Sequence, residues 1–448
     1  MARLLPRVAL GAAAICALAA CAGAPAAPQA AATSAPATAA PVATSAPAAT
    51  AAPAATEAAT APAIIEVTPA TAATAEATAP AAEGGVLPAP LYVGVNGQIE
   101  RIERDGTTRA TITSEPSDDG AMAVTELAAA PGGNQLAYVV QKQGGGVALV
   151  TTDGEGKNRT VLFDKDASSI TSLVWSPDGS ALITAISQTD AASGAMTGGV
   201  YRIPAAGGEP SLIQANDVLT QTATTASEVL PDKYGYTPQT FSPDGKKLLL
   251  VRYSLQVEQS DQVVIPAEGG PAVSFAQPSS DLHFGGISTA WSRDSASLYT
   301  TFTPGDDRYI YGAGLWRTSA SSGTSEQVIP SEVGGKVPIV IFPFETADGR
   351  VLAFVGESPK LPSMFEEDVQ NLPSFQLAEL DLAKGSWKVL REESFFSPTK
   401  IAWAPDGSGA AIWYNTREAQ AKFTWLPVDG QPVELGKAED LSGFSWGS

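Results

Sequence analysis

The chain has 448 residues, of which 44% are hydrophobic, 17% charged and 7% aromatic, and its 47 acidic against 27 basic side chains give a formal net charge of −20. That balance argues against nucleic acid as a partner, because phosphate binding needs a basic patch that releases counterions. Two cysteines and one histidine leave little room for thiol or metal chemistry, and neither a cofactor nor a metal site is expected.

Residues 1–20 open with Arg3 and Arg7 and continue in an apolar run from Val8 to Ala20. This is the order of a secretory signal, and the run is too short to span a bilayer. It ends Leu18-Ala19-Ala20-Cys21, which resembles the lipobox of bacterial lipoproteins. The resemblance implies cleavage before Cys21 and lipid attachment to its sulfur. It places the protein on the extracytoplasmic face of the cell membrane, or on the outer membrane of a two-membrane cell. Ala22 stands where an inner-membrane retention signal would resemble an Asp. Cys16 leaves with the leader, so no disulfide is expected.

Residues 21–88 are almost entirely Ala, Pro and Thr, with four glutamates (Glu57, Glu66, Glu76 and Glu83) and no Lys, Arg or aromatic residue. Such a segment cannot bury enough apolar surface to offset chain entropy, and its prolines favour extended, solvated backbone. It reads as a disordered stalk whose job is reach. Its Thr and Ser interleaved with Pro also suit O-glycosylation. Cleavage and the stalk together leave a charge of about −18 on the remaining head, which favours a soluble body held off an anionic membrane surface.

Residues 89–448 carry every Tyr, Trp, Phe and His. About 360 residues exceed most single compact cores, so they form either two domains or one closed repeat array. A repeated phrase decides between them. It stands at Leu173-Val174-Trp175-Ser176-Pro177-Asp178-Gly179, at Thr240-Phe241-Ser242-Pro243-Asp244-Gly245 and at Ala402-Trp403-Ala404-Pro405-Asp406-Gly407. Worn copies lie at Ala129-Ala130-Pro131-Gly132-Gly133, Ala290-Trp291-Ser292-Arg293-Asp294 and Ala347-Asp348-Gly349. Pro presets φ, Asp bonds nearby backbone and Gly accepts positive φ, so the phrase is a strand, a tight turn and a second strand.

A β-rich run follows each copy: 136–140, 182–186, 248–253, 298–302, 351–355 and 411–414. After it comes a hairpin centred on Gly, at 98–113, 147–163, 200–214, 263–275, 315–329, 377–390 and 423–435. The unit is therefore four antiparallel strands at a spacing of roughly 45 to 65 residues, which is blade-sized. Apolar residues are expected to alternate along these short strands. Seven hairpins match seven first strands only if Leu441 to Trp446 is counted, while the hairpin starting at Gln98 lacks a first strand of its own. The prediction is an all-β, seven-bladed propeller in which the C-terminal strand completes the N-terminal blade and leaves no open ring edge.

These phrases look like the repeats of TolB-type β-propellers, and the resemblance covers essentially all of residues 89–448. It implies no single activity, since members include binding and scaffold modules as well as non-catalytic propellers that precede serine-peptidase domains. The peptidase variant would need a further hydrolase domain with a nucleophile elbow, and the chain ends at Ser448. Propeller lyases resembling this family hold a metal through several histidines, whereas His283 is alone.

Strand order gathers the second-to-third and blade-to-blade connections on one face. The long insertions at 187–199, 215–235, 303–314 and 357–374 all fall there, the usual place for binding function on a rigid scaffold. The candidate ligand-face residues are Tyr234, Tyr236, Asp281, His283, Phe284, Asp307, Tyr309 and Tyr311. His283 also precedes a first strand, which brings it near the central funnel. Asp178, Asp244 and Asp406 read as turn formers, and Trp175, Trp291, Trp403 and Trp446 as core. Three functional readings stand. The first is a lipid-anchored, non-catalytic and monomeric module that binds a protein, peptide or envelope polymer. The second is a glycan hydrolase or lyase using funnel carboxylates, and the third an accessory subunit of an envelope signalling or transport complex.

Overall fold

A computed structural model describes residues 85–448 except 117–122, 134, 144, 166, 190–195, 218–232, 256–259, 280–281, 285–287, 305–308, 310, 364–371, 440 and 448. Residues 1–84, which hold the expected leader, Cys21 and the expected stalk, lie outside the described residues.

Seven four-stranded antiparallel sheets form seven blades. Blade 1 takes its first strand from the C-terminus, Leu441–Trp446, which pairs antiparallel with Leu91–Val95. Gln98–Ile102 and Arg109–Thr111 complete that blade outward. The predicted closure is therefore present. The first strands of blades 2 to 7 are Val124–Ala129, Ser169–Trp175, Tyr234–Phe241, Ala290–Trp291, Val337–Glu345 and Pro398–Trp403. Neighbouring first strands meet at several of the junctions, lining the centre of the ring. The folded region also begins slightly before residue 89, since Leu87 is buried and its N–H donates to the Arg104 carbonyl at 2.8 Å.

The core is not one mass but seven clusters, one at each junction of neighbouring blades. At the closing junction Phe423 and Trp425 of blade 7 pack on Phe444 and Trp446 of blade 1, with ring centroids 4.9 and 5.3 Å apart. This arrangement corrects the expectation of alternating apolar residues. Leu352, Ala353, Phe354 and Val355 are buried at consecutive positions, as are Leu136 to Val140. Each blade is covered on both faces by its neighbours, and a strand buried on both faces needs no polar side.

The first strands are bulged. Their register slips in blades 1, 2, 3, 4, 6 and 7. In blade 5 the strand divides, with Leu282–Phe284 paired to Phe302–Pro304 and Ala290–Trp291 paired to Ser297–Thr300. Bulges increase local twist and release backbone groups from the ladder. Ser172 and Phe342 take the resulting left-handed backbone, at φ of 60° and 50°. Side chains of preceding blades accept their freed N–H groups: the Glu126 carboxylate from Ser172 at 2.7 Å and the Ser288 hydroxyl from Phe342 at 2.7 Å.

The repeated tryptophans tie blades together. The indole N–H of Trp175 donates to the Ala128 carbonyl at 2.9 Å, that of Trp403 to Phe342 at 2.9 Å and that of Trp446 to Ala402 at 3.0 Å, each one blade back. Trp291 is the exception among the described residues, because its indole N–H is buried without a partner. Gln262 Oε1, Thr289 Oγ1 and Trp316 Nε1, from the same two blades, are also unsatisfied. The cluster there, built on Leu249, Val264, Trp291, Leu298 and Ala320, is the smallest of the seven among the described residues. Among the described residues, the junction of blades 4 and 5 thus has the fewest buried apolar side chains and several unsatisfied polar atoms. Trp175 and Trp291 are equally buried, at 7% exposure, so Trp→Phe at each isolates the hydrogen bond. Trp175→Phe is expected to cost about 1 kcal/mol more than Trp291→Phe, read as a lower urea midpoint at unchanged slope.

Candidate functional site

The four-stranded order fixes the two faces. Connections from first to second and from third to fourth strands share one face, and every one is short, like the turns between Trp175 and Ala181 or Pro427 and Val433. Second-to-third and blade-to-blade connections share the other, where 18 residues separate Ala215 from Tyr234 and 15 separate Ser358 from Ser374. Of the insertion expected at 187–199, residues 187–189 and 196–199 are strand, because Ala181–Thr189 and Met196–Pro204 lengthen the hairpin, and 190–195 lie outside the described residues.

The short face is built for rigidity. Asp178 accepts from the Ser176 hydroxyl at 2.6 Å and the Ser180 N–H at 3.0 Å, and Asp244 from Ser242 at 2.6 Å and the Lys246 N–H at 3.1 Å. Asp406 accepts from the Ser408 N–H at 2.9 Å. These carboxylates are turn formers.

On the loop face the described residues assemble one cluster at the start of blade 4. The Tyr234 N–H donates to Asp217 Oδ2 at 2.8 Å and that of Tyr236 to Asn216 Oδ1 at 2.9 Å, so the end of the long connection is stitched to the strand. Arg252 lies beside Tyr236 in the pairing, with its guanidinium 4.7 Å above the Tyr234 ring. It donates through Nε to Asp261 at 2.9 Å and closes a second bond through Nη2. The Asp261 carboxylate raises the Arg252 pKa, and burial raises that of Tyr236. A side chain at residue 235 would overlap the Tyr253 ring, so Gly235 lets that aromatic lie flat on the strand. The result is a half-buried patch in which Tyr234 and Tyr236 flank a guanidinium held by a carboxylate, with Tyr253 on the opposite face of the blade.

The other sequence candidates do not join it. Tyr309 forms an isolated antiparallel bridge with Ser363, which brings two of the long insertions together. Tyr311 is buried, 5.2 Å from Phe375, and burial pushes its hydroxyl up to about 12. It packs the core of blades 6 and 7 and is not presented on the face. The backbone of His283 pairs with Thr303 and that of Phe284 with Phe302, at the divided first strand of blade 5. Asp281 and Asp307 lie outside the described residues. Among the described residues, no group of three or more His, Cys, Asp and Glu stands where it could hold a metal.

Two groups in the central channel escaped the sequence reading. Glu126 and Lys400 stand three residues before Ala129 and Trp403, the positions that the turn-phrase aromatic occupies in its blade. Aligning the repeats on that aromatic would have exposed them, since the same level holds Ser172, Pro238, Ser288, Phe342 and Gly443 in the other blades.

No protein-family profile matches the chain, and a search of curated proteins finds no match. Solved structures do match. Prolyl oligopeptidase B from Galerina marginata has a TM-score of 0.52 at 11% identity, over 77% of this chain and 48% of that one. A prolyl endopeptidase has a TM-score of 0.50 at 11% identity, over 77% and 49%. The chain thus spans about half the length of these two peptidases. TolB from Acinetobacter baumannii also matches, at 13% identity over 78% of each chain with a TM-score of 0.40. At such identities the likeness bears on the fold, which is a seven-bladed β-propeller.

The turn assignment has a pH signature. The Ser176 hydroxyl, then the Ser180 N–H and hydroxyl, hold Asp178 at about 2 against its ordinary 3.8. A carboxyl depressed in the folded state stabilises above its unfolded pKa and loses that contribution as pH falls through the folded one. Thermal midpoints of the parent chain should therefore fall more steeply between pH 4 and pH 2 than those of Asp178→Ala.

Proposed function

We propose that this chain is a lipid-anchored, extracytoplasmic propeller that acts as a non-catalytic binding module, capturing a protein, a peptide or an envelope polymer on its loop face. The observation that carries this reading is the asymmetry of the two faces. One face has only short, hydrogen-bonded turns, while the other bears all the long connections and the Tyr234–Arg252–Asp261 cluster. A closed ring with seven inter-blade cores supplies the rigidity on which recognition loops depend. Tyrosine and arginine are also the side chains most enriched where interfaces concentrate their binding energy.

The anchor belongs to the same reading. The lipobox-like Leu18-Ala19-Ala20-Cys21 and the Ala/Pro/Thr stalk support a head that samples a volume above the membrane, which suits capture of a neighbouring envelope component. Whether that component belongs to a larger signalling or transport complex is a matter of what the head captures.

The test is a cross-linked pull-down from membranes with the stalk retained. Parent chain is compared with Arg252→Ala and with short linkers replacing 215–235 and 357–374. Both variants should lose the partner and keep the fold. The Arg252–Asp261 pair is partly exposed, with side chains 22% and 39% accessible, so Arg252→Ala should cost less than about 1 kcal/mol of stability. Unchanged capture by the loop-replaced chain contradicts the proposal.

A further inference from the structure

The central channel contains an unusual pair of charges. Lys400 of blade 7 and Glu126 of blade 2 occupy equivalent levels on either side of Gly443 in blade 1. Both are partly exposed although protein surrounds them, as side chains of first strands facing the axis of the ring are. The Glu126 carboxylate is already satisfied, because it accepts the Ser172 N–H at 2.7 Å and that of Leu173 as well. Lys400 is not. Its ammonium lies 5.0 Å from the centre of the Phe444 ring and meets no hydrogen-bond acceptor among the described residues. It feels the charge of Glu126 without closing an ion pair. A Cβ at residue 443 would stand 3.5 Å from Nζ, so the glycine keeps the space beside the ammonium open.

An enclosed ammonium is costly unless an acceptor meets it. Burial lowers the Lys400 pKa below its ordinary 10.5, opposed by Glu126, and a ring face compensates only in part. An anionic acceptor entering along the axis would meet the ammonium. Its charge is limited by the surroundings: one lysine beside one carboxylate, inside a head with a large acidic excess, suits a single negative charge and disfavours a phosphate dianion. Its route is set by the topology. Lys400 and Glu126 are the third residues of strands that begin at the loop face, which puts them about 7 Å below the rim at the usual rise per strand residue.

We propose that the central channel is a carboxylate receptor in which Lys400 is the counter-ion, Phe444 the floor beneath it and Gly443 the space that admits the ligand. The carboxylate is that of a free small acid or the C-terminus of a peptide. The second source rests on the binding-module reading; the first does not.

The test is an NMR titration of the full chain carrying 13C-labelled lysine, with the Lys400 Cε resonance assigned from Lys400→Met. The probes are acetate, a short peptide with a free C-terminus, the same peptide amidated, and inorganic phosphate. Acetate or the free peptide should shift the Lys400 resonance saturably, and the amide should not. In Lys400→Met, binding of the same probe followed by calorimetry should weaken about tenfold or more, a loss of roughly 1.4 kcal/mol. Peptide binding at least tenfold tighter than acetate assigns the ligand to a chain terminus, and equal binding assigns it to free acids. No saturable shift with either carboxylate overturns the proposal, as does binding unchanged in Lys400→Met or phosphate binding as well as acetate. If Lys400→Met misfolds, Lys400→Arg, which also removes the lysine resonance, supplies the assignment and the parent titration stands. Membrane capture by a chain that binds no carboxylate would separate failure here from failure of the binding-module reading.

Discussion

The pairing of Leu91–Val95 with Leu441–Trp446 is the interaction on which the rest of the molecule depends. A propeller has no central core, so each blade is stable only because both of its faces are covered. Without the last strand, blade 1 would lose its inner edge, and blade 7 would lose the wall formed by Phe444 and Trp446. Burying a large apolar side chain is worth about 1.5–3 kcal/mol, and the strand brings Leu441, Phe444 and Trp446 to one junction. It also carries the indole that bonds Ala402 in blade 7 and the Ser445 hydroxyl that meets the Ala129 N–H in blade 2. One six-residue strand thus ties together three blades.

Much of this was legible in the sequence because turns have strong local chemistry. Ser-Pro-Asp-Gly demands a tight turn wherever it stands, and counting hairpins against first strands was enough to infer seven blades and the exchange of one strand between the chain ends. The bulges were not legible, since Ser172 and Phe342 carry no residue type that announces left-handed backbone. Alternation was the wrong expectation for the middle strands, because two-sided cover depends on neighbours distant in sequence. The candidate site was read only in part. Tyr234 and Tyr236 do come together, but Arg252 and Asp261, which organise them, lie on the next hairpin. Tyr311 was an aromatic in a loop by its sequence context and is a core side chain by its packing.

The two places where chemistry gathers follow from this architecture. Short turns on one face leave the other free to vary, and the tyrosine cluster occupies the point where the longest connection rejoins a blade. The channel groups arise differently. Bulged first strands expose N–H groups toward the axis, Glu126 takes up two of them, and Lys400 is left facing the closing strand with a ring beneath it. The closure that holds the ring together therefore also shapes the channel, because Gly443 and Phe444 belong to it.

The most direct test of this account is the urea unfolding of a chain lacking residues 440–448. If the last strand closes the ring, the truncated head has no cooperative transition, and a peptide of residues 440–448 added in trans restores one. A truncated chain that unfolds with the midpoint and slope of the parent would contradict it.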